Sequence, residues 1–167
     1  MFVPFESLPD TSRIWIYQSS RKFILQELSA ISDALMAFSN QWNAHGVPLR
    51  SSFEVPFDQF IILAVDESTN TASGCSIDDS VRIIKMLGEN LGVELFDRTK
   101  IAFKLESGII TVPLVELKGK YLEGLWTNQT LVVNNLISSK GELRGRWLIP
   151  AEQTWIKRYL PDEAVIR

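Results

Sequence analysis

The sequence predicts an α/β fold on the α+β border: a mixed sheet of about six strands with a βαβ start, an antiparallel hairpin and about four helices. Three observations carry this. Ile14-Trp15-Ile16-Tyr17 and Phe60-Ile61-Ile62-Leu63-Ala64-Val65 are continuous apolar runs rich in β-formers, and read as strands buried on both faces. Between them Ile24, Leu28, Ile31, Leu35, Phe38 and Trp42 step alternately by four and three residues, the spacing of one helical stripe. The chain has 167 residues, of which 46% are hydrophobic and 22% charged, enough for a single domain over 1–167 with a sizeable core.

In order, Arg13–Gln18 is the first strand and the Ile24–Trp42 stripe the first helix, with Gly46 soon after its end as a stop. Residues 43–59, with Pro48 and Pro56, read as a long irregular connection. The strand at 60–65 then completes a right-handed βαβ unit with parallel strands. Residues 66–76 form a polar loop, longer than the two to six residues usual between such elements. A second helix runs over about 77–91, its start set by Ser76 with Asp79 three residues on as a capping box. Ile77, Val81, Ile84, Leu87 and Leu91 share its inner face.

Beyond Gly92 the elements shorten. Ile101, Phe103 and Leu105 alternate with Ala102 and Lys104, giving a strand with one wet face. Glu106-Ser107-Gly108 turns it into a hairpin with 109–112. Pro113 suits the first position of a helix over 113–123. Residues 130–134 and 144–149 read as two more strands, and Pro150 opens a final helix carrying Trp155, Ile156, Tyr159 and Leu160.

Composition narrows the function classes. One cysteine leaves no internal disulfide framework, and one histidine leaves no multi-histidine metal centre. The opening Met1-Phe2-Val3-Pro4-Phe5-Glu6 lacks the basic start of a signal peptide. The longest apolar run is far too short to span a bilayer. The ending Ala164-Val165-Ile166-Arg167 is not a prenylation signal. A cytoplasmic protein, not membrane-bound, is the expectation. The net charge is −3. Residues 1–139 hold 11 basic against 16 acidic side chains, a net of −5, while 140–158 hold five against two, a net of +3. Trp147, Trp155 and Tyr159 are interleaved with Arg144, Arg146, Lys157 and Arg158, a pattern that can serve single-stranded nucleic acid. The excess is small, and solvated faces of a strand and a helix account for it, so nucleic acid is not the expected partner.

In an open parallel sheet, ligands bind beyond the carboxyl ends of the strands. Asp66 stands at such an end, and the loop after it runs into Ser73-Gly74-Cys75-Ser76 before a helix start, a place that favours a thiolate. Asp78 and Asp79 in the first turn oppose that effect, and Cys75 reads ahead of a reactive thiol as a small apolar residue at a tight turn whose unusual dihedrals Gly74 supplies. His45 is the one imidazole, placed at a helix C-terminus, where it serves either as a capping cation or as a base. In a βαβ unit this end lies at the opposite edge of the sheet from the Cys75 loop. The expected site is the mouth formed by loops 43–54 and 66–78. Cys75, His45 and Asp78 are its candidate catalytic residues; Trp42, Ser73, Gly74, Ser76 and Asp66 are candidate ligand contacts, joined by Asp97 and Arg98. Asp66, Glu67, Asp78 and Asp79 lack the spacing of a calcium loop. No phosphate loop, dinucleotide motif, nucleophile elbow or zinc helix motif occurs, so no metal and no cofactor are implied.

With Trp42-x-x-His45-Gly46-x-Pro48-Leu49 and Ser73-Gly74-Cys75-Ser76-Ile77-Asp78 in view, and the opening Phe2-Val3-Pro4-Phe5 beside them, the chain resembles a family of short bacterial proteins of uncharacterised function. Its members often carry an ABC transporter ATPase label although they lack Walker motifs. The resemblance implies no activity or catalytic residue to carry over. The functional expectation is a binding or interaction protein for a small molecule or protein partner, with homo-oligomerisation left open. The alternatives are a small enzyme with Cys75 as nucleophile, and a weak RNA contact through the basic stretch.

Overall fold

The computed structural model describes residues 1–161; the chain end Ala164–Arg167 lies outside them. Among the described residues the architecture is α+β, with three α-helices and sheets of three, two and four strands. The single six-stranded sheet and the four helices expected from the sequence are therefore not formed. The chain divides into two compact units, one of Met1–Asp97 with Ser138–Glu142, the other of Arg98–Ile137 with the residues from Leu143 onward.

In the first unit, β1 (Arg13–Gln18) and β5 (Phe60–Asp66) occupy the two apolar runs. They pair antiparallel, Arg13 opposite Val65 and Gln18 opposite Phe60, so the expected parallel βαβ unit is absent. The reason lies in the connection read as irregular. It contains a small hairpin, β2 (Asn43–Ala44) with β3 (Val47–Pro48), and a further strand, β4 (Arg50–Glu54). β4 pairs antiparallel with the other side of β5, from Arg50 opposite Asp66 to Glu54 opposite Ile62, giving the order β1-β5-β4. The chain thus enters the centre of the sheet from a hairpin neighbour rather than by a helical crossover, and β5 is buried along its whole length.

The first helix, α1 (Leu25–Gln41), uses the expected stripe, with Ile31 and Leu35 fully buried while Ile24, its N-cap, stays exposed. The second, α2 (Gly74–Leu91), starts three residues before the expected position. Ser73 is its N-cap, its hydroxyl accepting from the Ser76 amide, and Ser76 is a buried first-turn residue instead of the cap. Gly92, with φ of +63°, ends it in the left-handed conformation that glycine adopts without steric cost. Ile31, Leu35, Ile61, Leu63, Ile84 and Leu87 form the core of this unit.

The second unit holds a sheet of order β7-β6-β8-β9, built from β6 (Lys100–Leu105), β7 (Gly108–Pro113), β8 (Leu131–Val133) and β9 (Leu148–Pro150). The hairpin of β6 with β7 forms as expected. The helix expected over 113–123 begins later, as a 3-10 turn at Leu114–Glu116 followed by α3 (Leu117–Leu122). The Leu114 amide is engaged by the Thr99 carbonyl, which prolongs the ladder beyond Pro113. The strand expected from 144 starts only at Leu148, because Gly145 takes a φ of +97° and the chain turns there. The final helix is two 3-10 turns, Ala151–Gln153 and Trp155–Tyr159, separated by extended Thr154, whose side chain caps the second. Phe103 stacks on Trp126 at 5.2 Å, and the Trp126 indole donates to the Leu117 carbonyl at 2.9 Å, centring a core with Val112, Val132 and Ile156. Among the described residues no helix is long and apolar enough to cross a membrane.

The α1 start depends on one carboxylate. Glu27 accepts from both guanidinium nitrogens of Arg21 at 2.8 Å and from the Ile24 amide at 2.9 Å. The Arg21 bonds first, and the Ile24 amide second, pull its carboxyl down to about 2. A depressed carboxyl stabilises the fold above its unfolded value and loses that contribution as the pH falls toward 2. Glu27→Gln is expected to lower the midpoint of thermal unfolding at pH 7, and the gap to the parent protein is expected to close between pH 5 and pH 2. A gap independent of pH would assign the effect to packing.

Candidate functional site

The antiparallel register sets the geometry of the candidate site. Arg50 opens β4 opposite Asp66, which closes β5, so the segments 42–49 and 66–73 leave the sheet at the same end. The sequence expectation of opposite edges is corrected here. Two bonds tie the 42–49 segment to the chain beyond β5: the Asn70 side chain donates to the Val47 carbonyl at 3.1 Å, and the Trp42 indole donates to the carbonyl of Ser76, in the first turn of α2, at 2.8 Å.

The β2–β3 hairpin has a two-residue tip, His45-Gly46, with φ of +53° and +78°. Both positive values are what a tight hairpin connection of right-handed twist requires. Asn43 accepts from the Gly46 amide through its side chain, and the Trp42 carbonyl closes the base by accepting from Leu49. His45 is consequently an exposed hairpin-tip residue and not the end of a helix, since α1 stops at Gln41. The unusual dihedrals expected at Gly74 are likewise found here, at His45 and Gly46; Gly74 has no positive φ and is an ordinary first-turn residue.

Asp66 is buried and fully engaged. It receives the Arg50 guanidinium at 2.9 Å and the Ser68 amide at 3.0 Å. Hydrogen bonding from Ser68 is the largest of the influences that hold its carboxyl below the usual range, Arg50 adding to them while burial opposes. Glu67 in turn accepts from the Ala72 amide. These acids brace the 66–73 loop. Cys75 and Asp78 are exposed on the first turns of α2. No hydrogen bond or ion pair links Cys75, His45 and Asp78 to one another. Asp97 closes the main segment of the first unit and Arg98, exposed, opens the second. Among the described residues no group of three or more histidine, cysteine or acidic side chains is placed to hold a metal ion. In the basic stretch, the Arg158 guanidinium lies 4.8 Å from the Trp155 ring centre and 5.4 Å from that of Tyr159. Rings that would stack bases thus face this chain's own cation.

What the sequence reading missed is a groove of about 310 Å³ beside Trp42, between the last turns of α1 and the middle of α2. Phe38, Trp42, Ile83 and Met86 supply its apolar walls. Gln41, Asn43, Asp79 and Arg82 stand around it. Phe38 and Trp42 lie 4.9 Å apart between ring centres, and Trp15 backs Trp42 at 6.0 Å. Because the Trp42 N–H is spent on Ser76, the indole offers a ligand only its ring. Asp79 and Arg82 pair with each other at 2.8 Å, and the Asn43 side chain donates to the Gln41 carbonyl while accepting from the Gly46 amide, so Gln41 is the rim residue whose side chain makes no such bond. One signal in the sequence pointed here: Ile83 and Met86 sit off the inner stripe of α2, as a second apolar strip with no partner assigned to it.

Comparisons of the chain with protein-family models, with curated proteins and with solved structures find no match.

Trp42→Phe keeps an aromatic ring but removes the indole N–H together with part of the ring volume. It is expected to cost more than the about 1 kcal/mol net worth of a buried hydrogen bond in urea unfolding, because a cavity is left as well. Gly46→Ala, forcing a Cβ onto a φ of +78°, is expected to cost about 1 kcal/mol. Unchanged stability in both would mean that the hairpin is not held as described.

Proposed function

We propose that this protein is a non-catalytic binding module of the cytoplasm whose ligand places an apolar or aromatic group in the groove between α1 and α2, beside the mouth of the loops 43–54 and 66–78. The observation that carries the reading is the groove itself. Its volume is at the small end of the range for small-molecule sites, about 300–1,000 Å³. Its walls are Phe38, Trp42, Ile83 and Met86, and its floor indole is held in place by a bond that leaves no donor free. Met86 is 44% exposed, an unbranched apolar side chain left at the surface where it can adapt to an incoming group. Charge contributes orientation: the Asp79–Arg82 pair at the rim can exchange partners at little cost, since exposed ion pairs are worth about 0–1 kcal/mol.

This reading assigns Cys75 no chemistry, in keeping with the lack of a bonded base. It extends the resemblance to the short bacterial family without a nucleotide site, because the α2 start spends the Ser73 hydroxyl and the Ser76 amide on each other.

Anilinonaphthalene sulfonate, an apolar ring system with an anionic head, tests the reading. One equivalent is expected to bind with a rise in dye fluorescence. Met86→Glu, which places a charge on the groove wall at a surface position, is expected to weaken binding at least tenfold, whereas Cys75→Ser is expected to leave it unchanged. Binding that survives Met86→Glu, or that involves many equivalents, would overturn the groove as the site.

A further inference from the structure

An open sheet edge offers a row of unpaired N–H and C=O groups, and folds blunt such edges by covering, shortening or charging them. The three-stranded sheet here has both edges covered in part. Along β4, the Val3 amide donates to the Ser51 carbonyl and the Ser51 amide to the Met1 carbonyl. Along β1, Arg13 bridges Ser139 and the Ile14 amide donates to the Ser138 carbonyl. In the second unit, β9 is three residues long and ends in Pro150. β7 differs. It is a six-residue edge strand, Gly108-Ile109-Ile110-Thr111-Val112-Pro113, without a charged side chain.

Its register shows which groups point outward. Antiparallel ladders alternate bonded and non-bonded pairs. Leu114 donates to Thr99, which places the bonded pairs at Ile101–Val112, Phe103–Ile110 and Leu105–Gly108. The N–H and C=O groups of Ile109 and Thr111 therefore face away from β6.

We propose that β7 is a homodimer interface, at which two copies of this chain join their four-stranded sheets edge to edge about a two-fold axis through Ile110. In that antiparallel register, Ile109 of one copy meets Thr111 of the other, and each of these residues supplies both a donor and an acceptor. Ile110 meets Ile110 as a non-bonded pair, the geometry in which opposing side chains come closest. The match is self-complementary, as a two-fold interface must be. It sets β-branched residues against each other and no like charges across the seam, since Glu106 falls opposite Leu114. A strand of other composition would find no charge on this edge to select it, whereas a second copy satisfies both edges at once. Ile110 lies at the margin of the second core, with Phe103 beside it, so the join continues that core from one copy into the next. It also sets the two α3 helices on the same face of the joined sheet, each ending in Leu122, 71% exposed, and preceded by Val115, 93% exposed.

Sedimentation equilibrium over a range of concentrations, with amide hydrogen exchange at both ends of that range, tests this. The parent protein is expected to sediment at twice its 19.0 kDa as concentration rises. Exchange at Ile109 and Thr111 is expected to slow at least tenfold in the dimer, with Ile110 and Val112 already slow in the monomer. Thr111→Pro removes an outward N–H without touching the ladder to β6, and Ile109→Lys adds an edge charge; both are expected to give monomers. A parent protein that stays monomeric overturns the proposal, and so does protection of Ile109 and Thr111 that is independent of concentration, which would mean that a segment of the same chain covers the edge. Variants that dimerise as the parent does overturn it equally. Should either variant unfold, the exchange pattern of the parent protein alone decides.

Discussion

The first unit depends on the complete burial of β5. Phe60, Ile61, Ile62, Leu63, Ala64, Val65 and Asp66 are all inside, on both faces of the sheet, and the strand has a neighbour on each side. A strand this apolar is stable only if every backbone group is paired and both faces are covered. The antiparallel neighbours β1 and β4 meet the first demand, and α1 and α2 cover one face through Ile31, Leu35, Ile84 and Leu87. The one charge on β5 comes at its last residue, where Arg50, directly opposite, and the Ser68 amide receive Asp66 as it leaves the core. Coulomb attraction at that point therefore fixes the same register that the apolar side chains require.

The position of the groove follows from that register. With β4 level with the end of β5, the segment 42–49 has nowhere to go but alongside the start of α2, and Trp42 bridges the two by its bond to Ser76. The hairpin tip accepts positive φ at His45 because the tie at each base, Trp42 to Leu49 and Val47 to Asn70, leaves two residues to reverse the chain. Trp42 thus serves the fold at its N–H and the surface at its ring. That division explains why so large an aromatic is 2% exposed and still bounds a groove.

Much of this was legible in the sequence, and the parts that were not have specific causes. The two apolar runs and the stripe of α1 announce themselves through burial periodicity, and they form where expected. Strand direction is not encoded in such a run: a strand buried on both faces reads alike in parallel and antiparallel sheets, and only the recognition of β4 would have decided it. β4 hid because it is Arg-Ser-Ser-Phe-Glu, with Ser51 and Ser52 fully buried, polar residues where periodicity looks for apolar ones. The α2 start was displaced because Ser73 and Ser76 both offer a hydroxyl three residues before another polar residue. The choice between them rests on which is buried, a tertiary fact. The sequence neighbourhood of Trp42 alone points to a ligand contact, whereas Phe38, Ile83 and Met86 form a surface only with the two helices side by side.

The return of the chain to the first unit at 138–142 shows how the exposed edges are managed. Glu142 accepts from the Ser138 and Ser139 amides and the Ser139 hydroxyl, folding five residues into a compact plug. Lys140 inserts its ammonium against the carbonyls of Glu6 and Leu8 and over the Phe5 ring. Glu54 at the end of β4 registers the crowding: burial first, and then the Glu6 charge, raise its carboxyl, while Lys140 pulls it down. A cation placed there lowers the cost of two acids near a sheet end, and the segment that carries it covers the β1 edge through Ser138 and Ser139. A residue that neutralises charge and a segment that pairs a strand are thus supplied together by one short excursion. No comparable excursion reaches β7 among the described residues, and the asymmetry between the two sheets is what singles that edge out.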